Sequence, residues 1–245
     1  ATASGGKVTS EKVAEKEFKV TIEMEGAPAV AEDVLVARDC ALALSTGASI
    51  DIQHISSGTS VAIVRAMKAL GKNIHAEATP QHFSLTEEAV LAKGTLAKVN
   101  PPIRTEADRQ AIIQGLMDDT IDYIATDHAP HSAEEKSKDI KSAPSGMIGL
   151  ETALALGITN LVKPEYMSLS HFLEKLTTNP AQLYHLDAGY VAVGGKADLV
   201  IFNENELWTV GENFKSKASN SPFIGETLQG KVKYTICGGK IVYRD

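Results

Sequence analysis

The sequence is sparing in several features that would each announce a function. Only two cysteines occur, Cys40 and Cys237, far apart and in apolar surroundings. That excludes a disulfide framework and reads as buried, reduced thiols of a cytosolic protein. Lys and Arg total 24 against 31 Asp and Glu, a formal charge of −7, with no dense basic cluster. Neutralising a phosphate backbone needs such a cluster, so nucleic acid is not expected as a partner. No apolar run approaches the roughly 18 residues of a membrane span. The first six residues, Ala1-Thr2-Ala3-Ser4-Gly5-Gly6, are small and polar. They lack the apolar segment of a signal peptide. An initiator Met is also missing, which points towards truncation. There is no internal repeat and no low-complexity stretch.

What is present is a chain of 245 residues, 43% hydrophobic, long enough to bury a sizeable core. Val30, Val34, Ala37, Ala41 and Leu44 recur at helical spacing opposite Glu32, Asp33, Arg38 and Asp39, so residues 30–44 are expected to form an amphipathic helix. Thr46-Gly47 ends it. A short strand follows over 48–54, then a helix over 60–70 closed by Gly71, then a strand over 73–78. A helix over 106–117 leads into a strand over 121–126, and further helices are expected at 149–157 and 170–176. Alternating strands and helices imply parallel strands joined by crossover helices, an α/β fold. Near Gly189 the composition shifts. Alternating strands over 197–202, 234–237 and 240–243, the last two joined at Gly238-Gly239, predict a small β unit. The expected domains are therefore 1–188 and 189–245.

Chemistry concentrates at the predicted strand ends, which face one mouth in a parallel barrel. His54 ends one strand and Asp127 another. A lone histidine at a strand end is more often structural than a ligand. Asp127-His128-Ala129-Pro130-His131 is less ordinary, because it gathers two imidazoles and a carboxylate at a proline turn and so supplies metal-binding and proton-transfer groups together. In Asn100-Pro101-Pro102-Ile103-Arg104 the prolines hold the chain extended and present the Asn100 amide, although a rigid connecting loop explains the segment equally well. Ser145-Gly146 could bring backbone amides to a ligand or simply turn into a helix. Thr79-Pro80-Gln81-His82 reads as a loop on the rim. His75, His171 and His185 read as structural or surface residues, and Gly194-Gly195 as a turn, since no helix follows to make a phosphate loop.

Taken in order, Ala31-Glu32-Asp33 with Ala37-Arg38-Asp39, His54-Ile55-Ser56, Glu77-Ala78-Thr79-Pro80, Asn100 to Arg104, Ala125 to His131, Gly149 to Thr152, Asn179-Pro180-Ala181, Gly195 to Leu199 and Ser221-Pro222-Phe223 resemble the dihydroorotases of the amidohydrolase superfamily. The resemblance implies a (β/α)8 barrel with a binuclear zinc site at its mouth. It also implies the reversible opening of dihydroorotate to N-carbamoyl-aspartate in pyrimidine biosynthesis. His54, at the end of the sixth strand, and Asp127, ending the eighth, would each hold one zinc ion. Asp127 would also shuttle the proton. Asn100, His131, Ser145 and Gly146 match substrate-contacting positions.

The departures are as informative. The family's His-x-His pair, bridging carboxylate or carbamylated Lys and further His have no counterpart, and no His-x-His occurs. Gln81-His82 stands where the family usually has two histidines. The resemblance thus covers about strands 6 to 8 of the barrel with part of a small β-sandwich domain. One ligand for each metal falls short of the three or more of a catalytic zinc site. The chain is expected to be an incomplete piece that, alone, neither holds zinc tightly nor turns over. Expected partners are the small-molecule substrate, the missing N-terminal half, a second copy of the chain in a homo-oligomer and aspartate transcarbamoylase, with no membrane. Rival readings are an allantoinase or hydantoinase, which would share His54 and Asp127, and a non-catalytic subunit, which would be expected to lose them.

Overall fold

The computed structural model describes residues 7–14, 17–23, 26–71 and 73–245. It begins with β1 (Lys7–Ala14), β2 (Glu17–Glu23), α1 (Ala29–Thr46), β3 (Ile50–Ile52), α2 (Gly58–Lys68) and β4 (Ile74–Ala78). Next come α3 (Pro80–Ser84), α4 (Glu88–Lys93), α5 (Glu106–Met117), β5 (Tyr123–Ile124) and α6 (Ala133–Lys136). The remainder is α7 (Ala153–Gly157), α8 (Leu169–Leu176), α9 (Thr178–Leu183), β6 (Leu199–Thr209), β7 (Thr227–Cys237) and β8 (Lys240–Arg244).

Three parallel strands, in the order β3-β4-β5, organise the first part. Ile50 pairs with Ile74, Asp51 with His75 and Ile52 with Ala76, and on the other side of β4 Glu77 pairs with Tyr123 and Ala78 with Ile124. Because side chains alternate along a strand, Ile50, Ile52, Ile74, Ala76, Ala78 and Ile124 share a face. Most of that face is buried, in one cluster with Val36 and Cys40 of α1, Val61 and Val64 of α2, and Ile112, Ile113 and Leu116 of α5. Gly115 lets α5 approach closely, since a Cβ there would lie 3.0 Å from both Val61 and Ile121 side chains. At about 25 cal/mol per Å² of apolar area, this layer is the main driving force for the region.

Helix ends are fixed by identifiable groups. Gly47 adopts φ 75° and its N–H bonds the Ala43 carbonyl at 2.8 Å, closing α1. Thr105 and Asp108 form a capping box on α5. Ser57 makes no side-chain cap on α2. Its place is taken by Glu32, which accepts the Ser56 and Ser57 N–H groups at 2.9 and 3.0 Å, and by Asp108, which accepts Gly58 N–H at 2.8 Å.

The second sheet is antiparallel, β6-β7-β8, with bulges within β6 after Ile201 and between Asn203 and Leu207. Val210, Phe223 and Leu228 join its base to the main core, and the Trp208 indole donates to the Gly230 carbonyl at 3.0 Å.

Several elements depart from the sequence expectation. A hairpin, β1-β2, precedes α1, where no strand was expected; Phe18, Val20 and Ile22 alternate with Lys19, Thr21 and Glu23, a period-two signal legible in the sequence. The 79–82 segment is not a loop. Pro80 starts the short helix α3, whose Pro80, Gln81, His82 and Phe83 are all buried. The helix expected from 149 begins only at Ala153, because Gly149 first forms a turn that accepts the Thr152 and Ala153 N–H groups. The strand expected over 121–126 shrinks to two residues, although Asp122 and Ala125 continue the ladder to the Ala76 and Ala78 carbonyls. The β6 strand runs on through the polar Asn203-Glu204-Asn205-Glu206 because β7 pairs around it. Of the two free cysteines, Cys40 is buried as expected, but Cys237 is exposed, at the end of β7 beside the Gly238-Gly239 turn. The small polar N-terminus, residues 1–6, lies outside the described residues. Among the described residues no helix is long and apolar enough to cross a membrane.

Candidate active site

His54 and Asp127 follow the C-terminal ends of β3 and β5, the two outer strands of the parallel sheet, with β4 between them. Both depart from ordinary backbone geometry, with φ of 53° and 46°. Left-handed conformations cost a non-glycine residue about 1–3 kcal/mol and persist where the surroundings over-determine them, commonly at functional sites. Here the kinks turn the two side chains towards each other across β4, leaving His54 Nε2 3.6 Å from Asp127 Oδ1. That exceeds hydrogen-bonding distance, and both side chains are partly open to solvent.

The other ring nitrogen of His54 faces a carboxylate. Nδ1 lies against Oε1 of Glu77, which also accepts the His54 backbone N–H at 3.2 Å. Glu77 comes from β4 and is 2% exposed. The contact with this carboxylate pushes the His54 pKa above the usual imidazole value, against the opposing effect of burial. Behind His54, Glu32 also receives the Ser56 hydroxyl, and Arg104 donates to that hydroxyl at 3.1 Å and to the Ala27 carbonyl at 2.5 Å. Arg104 thereby ties the loop after His54 to the loop that carries Asn100.

On the other side, two strand-like segments are laced together. Ala129 N–H bonds the Met147 carbonyl at 3.0 Å, and the His131 ring donates through Nε2 to the Ser145 carbonyl at 3.0 Å. Gly146 adopts φ 136°, and a Cβ there would meet Ala129 at 2.6 Å and His131 Nε2 at 3.0 Å, so this close approach needs glycine. The buried Asn220 accepts the His131 N–H and donates to the Ala129 and Gly146 carbonyls. The buried Lys136 ammonium donates to the Pro144 and Gly146 carbonyls at 3.0 and 2.9 Å, and burial lowers its pKa to about 8. His128 faces away from this lacing: its Nδ1 accepts the Gly149 N–H at 3.1 Å, and Nε2 lies 3.2 Å from the Ser216 hydroxyl.

Asn100 sits at a bend with a cis peptide to Pro101. It lines a cavity of about 400 Å³ with Glu32, Asp51 and Gln53. His131 borders another, of about 670 Å³, with Lys136 and Asn220. The two residues thus line different cavities. His82 anchors the Asn100 loop: a carbonyl can only accept, so Nε2–H donates to the Pro101 carbonyl at 3.0 Å and Nδ1 receives the Thr79 hydroxyl at 2.7 Å. Complete burial lowers the His82 pKa to about 4.

The second face of the sheet continues the polar character inwards. Tyr123 donates to Asp51 at 2.6 Å, Tyr184 lies 3.1 Å from the same carboxylate oxygen, and the two hydroxyls are 2.8 Å apart. Burial raises the pKa of Asp51, and burial together with Asp51 raises that of Tyr123. Two of the remaining histidines have acidic neighbours. His75 stands on β4 near Asp122, His171 bonds Asp119 at 3.0 Å, and His185 falls just past α9 rather than within it.

Sequence reasoning missed Glu77 as a contact of His54, along with the anchoring roles of Glu32, His82, Lys136 and Asn220. The available signals were charged or polar residues inside apolar runs, as in Ile74-His75-Ala76-Glu77-Ala78. Only the fold says what such residues touch.

His54 Nε2 and Asp127 Oδ1 are donors suited to a divalent ion. Among the described residues, no group of three or more His, Cys, Asp or Glu side chains is placed to hold a metal. The pair therefore fits part of a metal centre, short of the three protein ligands of a catalytic zinc site.

Comparison with known proteins gives these features a context. The Amidohydrolase family profile matches residues 4–242. The chain is 58% identical over 240 residues to the dihydroorotase of Clostridioides difficile strain 630, covering 98% of this chain and 54% of that protein. It is 59% identical over 235 residues to the dihydroorotase of Clostridium acetobutylicum, covering 96% and 54%. The chain thus spans about half the length of the curated relatives it matches. Among solved structures, the L-hydantoinase (dihydropyrimidinase) of Arthrobacter aurescens superposes with a TM-score of 0.84 at 29% identity, over 89% of this chain and 49% of that one. The dihydropyrimidinase of Brevibacillus agri NCHU1002, at 24% identity and a TM-score of 0.81, shares the fold.

Proposed function

Because the chain belongs to the amidohydrolase family, we propose that it is the C-terminal portion of a dihydroorotase, contributing about the last three barrel strands and, from residue 189, part of a small β domain. In this reading the enzyme opens the cyclic amide of dihydroorotate to N-carbamoyl-aspartate, reversibly, as a soluble cytoplasmic enzyme. The observation that carries it is the His54–Asp127 pair. An imidazole nitrogen and a carboxylate oxygen, both on strained backbone at the C-terminal ends of parallel strands, face each other without a hydrogen bond. A barrel places its chemistry at that end.

His54 and Asp127 would each hold one zinc ion of a binuclear centre, the other ligands coming from outside the described residues. When bound, such ions polarise the ring carbonyl and bring the pKa of water towards ~7. Asp127 accepts the proton of the attacking water and delivers it to the ring nitrogen as the C–N bond breaks. Asn100, His131 and the backbone at Ser145-Gly146 hold the substrate, with the glycine allowing the backbone to come close. Asn100 acts from the cavity beside β3 and His131 from the laced segments on the other side.

A hydantoinase reading draws on the solved structures, but their identity of 29% or less sits well below the 58–59% to proteins named dihydroorotase. The test uses the 245-residue chain alone and mixed with a preparation of the N-terminal half of a close relative. Metal content and dihydroorotate hydrolysis should be low for the chain alone and recover in the mixture. In the active mixture, Asp127→Asn should lower turnover by roughly 10²–10⁴-fold, because an amide cannot accept the proton. Near-normal turnover by that variant would remove Asp127 from the mechanism. Absence of zinc and turnover even in the mixture would favour a non-catalytic subunit.

A further inference from the structure

Glu77 is a carboxylate placed where apolar side chains would be expected, 2% exposed and in the middle of a strand whose neighbouring residues Ala76 and Ala78 are fully buried. A buried carboxylate is costly unless its oxygens are paired. One oxygen, Oε1, accepts the His54 backbone N–H and lies in ion-pair contact with the ring Nδ1. An ionised carboxylate can only accept, so in the neutral ring the hydrogen sits on Nδ1, and Nε2 carries the lone pair. That lone pair is the atom facing Asp127 across 3.6 Å. Two acceptors at that distance repel unless a cation or proton comes between them.

We propose that Glu77 is the positioning residue of His54. By holding Nδ1–H and the His54 backbone N–H on one oxygen, it fixes the ring's tautomer and rotation, so that the Nε2 lone pair is presented at the strand ends. The inference rests on the reading of His54 as a ligand only for its consequence, the affinity of the site for a metal ion. The tautomer itself stands on the Glu77 contact. Carboxylate partners of this kind orient ligating imidazoles and raise their basicity. They also explain why β4, otherwise Ile, His and Ala, carries a buried carboxylate.

The experiment reads the His54 ring nitrogens by NMR in the whole 245-residue chain, labelled at histidine and held without metal at a pH well above the imidazole range. Loss of a signal in His54→Gln assigns the resonance. The unaltered chain should show Nδ1 protonated and Nε2 bare, the reverse of the form free imidazole side chains favour. Glu77→Met, which removes the acceptor, should shift the ring towards protonated Nε2, and Glu77→Asp, which keeps an acceptor on a shorter arm, should return part of the Nδ1–H form. Circular dichroism confirms that each variant is folded. A protonated Nε2 in the unaltered chain overturns the proposal, and so does an unchanged tautomer in folded Glu77→Met. Titration with zinc ion of each chain mixed with the N-terminal half of a close relative then separates the two readings: the His54 Nε2 signal should respond at a concentration roughly tenfold or more higher in Glu77→Met than in the unaltered chain. An equal response in both chains overturns the positioning role. If zinc perturbs His54 in neither while the tautomers behave as expected, the metal reading fails and the assignment of Glu77 stands.

Discussion

On the β3-β4-β5 sheet, Ile50, Ile52, Ile74, Ala76, Ala78 and Ile124 share one face, while Asp51, His75, Glu77 and Tyr123 share the other. The first face is covered by α1, α2 and α5 and has no polar atom to satisfy. The second carries two carboxylates, an imidazole and a phenol, and it leads at its C-terminal end to His54 and Asp127. Alternate residues of the same short strands thus do opposite work. One set contributes most of the burial, and the other carries groups whose value depends on distances of a few tenths of an ångström. The division of labour follows from the period-two geometry of the strand, so it can be tested by altering one face and measuring the other.

The largest effect on stability is expected from the apolar face. Ile74 is 1% exposed within the core, and Ile74→Ala should cost roughly 2–5 kcal/mol through lost burial and the cavity left behind. Urea midpoints for the chain would measure it. A cost below about 1 kcal/mol would mean that the core had closed over the gap and that this face is not the main support.

Next comes the rim, where His82 joins α3 to the Pro101 carbonyl. Its folded pKa, about 4, lies below the ordinary 6.5, because burial disfavours the charged ring. The unfolded chain therefore binds a proton that the folded chain refuses between those values. Stability from the neutral ring is complete above pH 6.5 and is lost as pH falls towards 4. The loss is on the order of 3 kcal/mol. Denaturant midpoints at pH 7 and pH 5 should differ less in His82→Gln than in the unaltered chain. Equal pH dependence in the two would show that His82 titrates freely.

The smallest effect is expected on the polar face. Tyr184 is half exposed, and its hydroxyl shares Asp51 with Tyr123. Tyr184→Phe removes one of two donors to that carboxylate and should cost about 0.5–1 kcal/mol. Should this variant unfold as readily as Ile74→Ala, the contrast between the faces would be wrong, and the polar network would be part of the scaffold.

The sequence carried the α/β alternation, because a helix periodicity survives in any context long enough to show it. The predicted span of α5 agrees with the observed Glu106–Met117, where Thr105 and Asp108 mark the start. It also carried His54, Asp127 and His131 as candidates, since strand ends and a dense group of ionisable residues are local signals. What it could not carry was pairing across the chain. That Glu77 meets His54, that Glu32 serves α2 from α1, and that Asn220 clamps segments about 90 and 74 positions away are facts about distance in space. The short helix at Pro80 and the two-residue strand β5 were decided the same way, by burial and by partners that local propensity does not see. Residue types and their periodicities by themselves determined which groups were available for chemistry. Only the tertiary structure decided which nitrogen of His54 faces Asp127, because the carboxylate against the ring's far side comes from Glu77 on another strand.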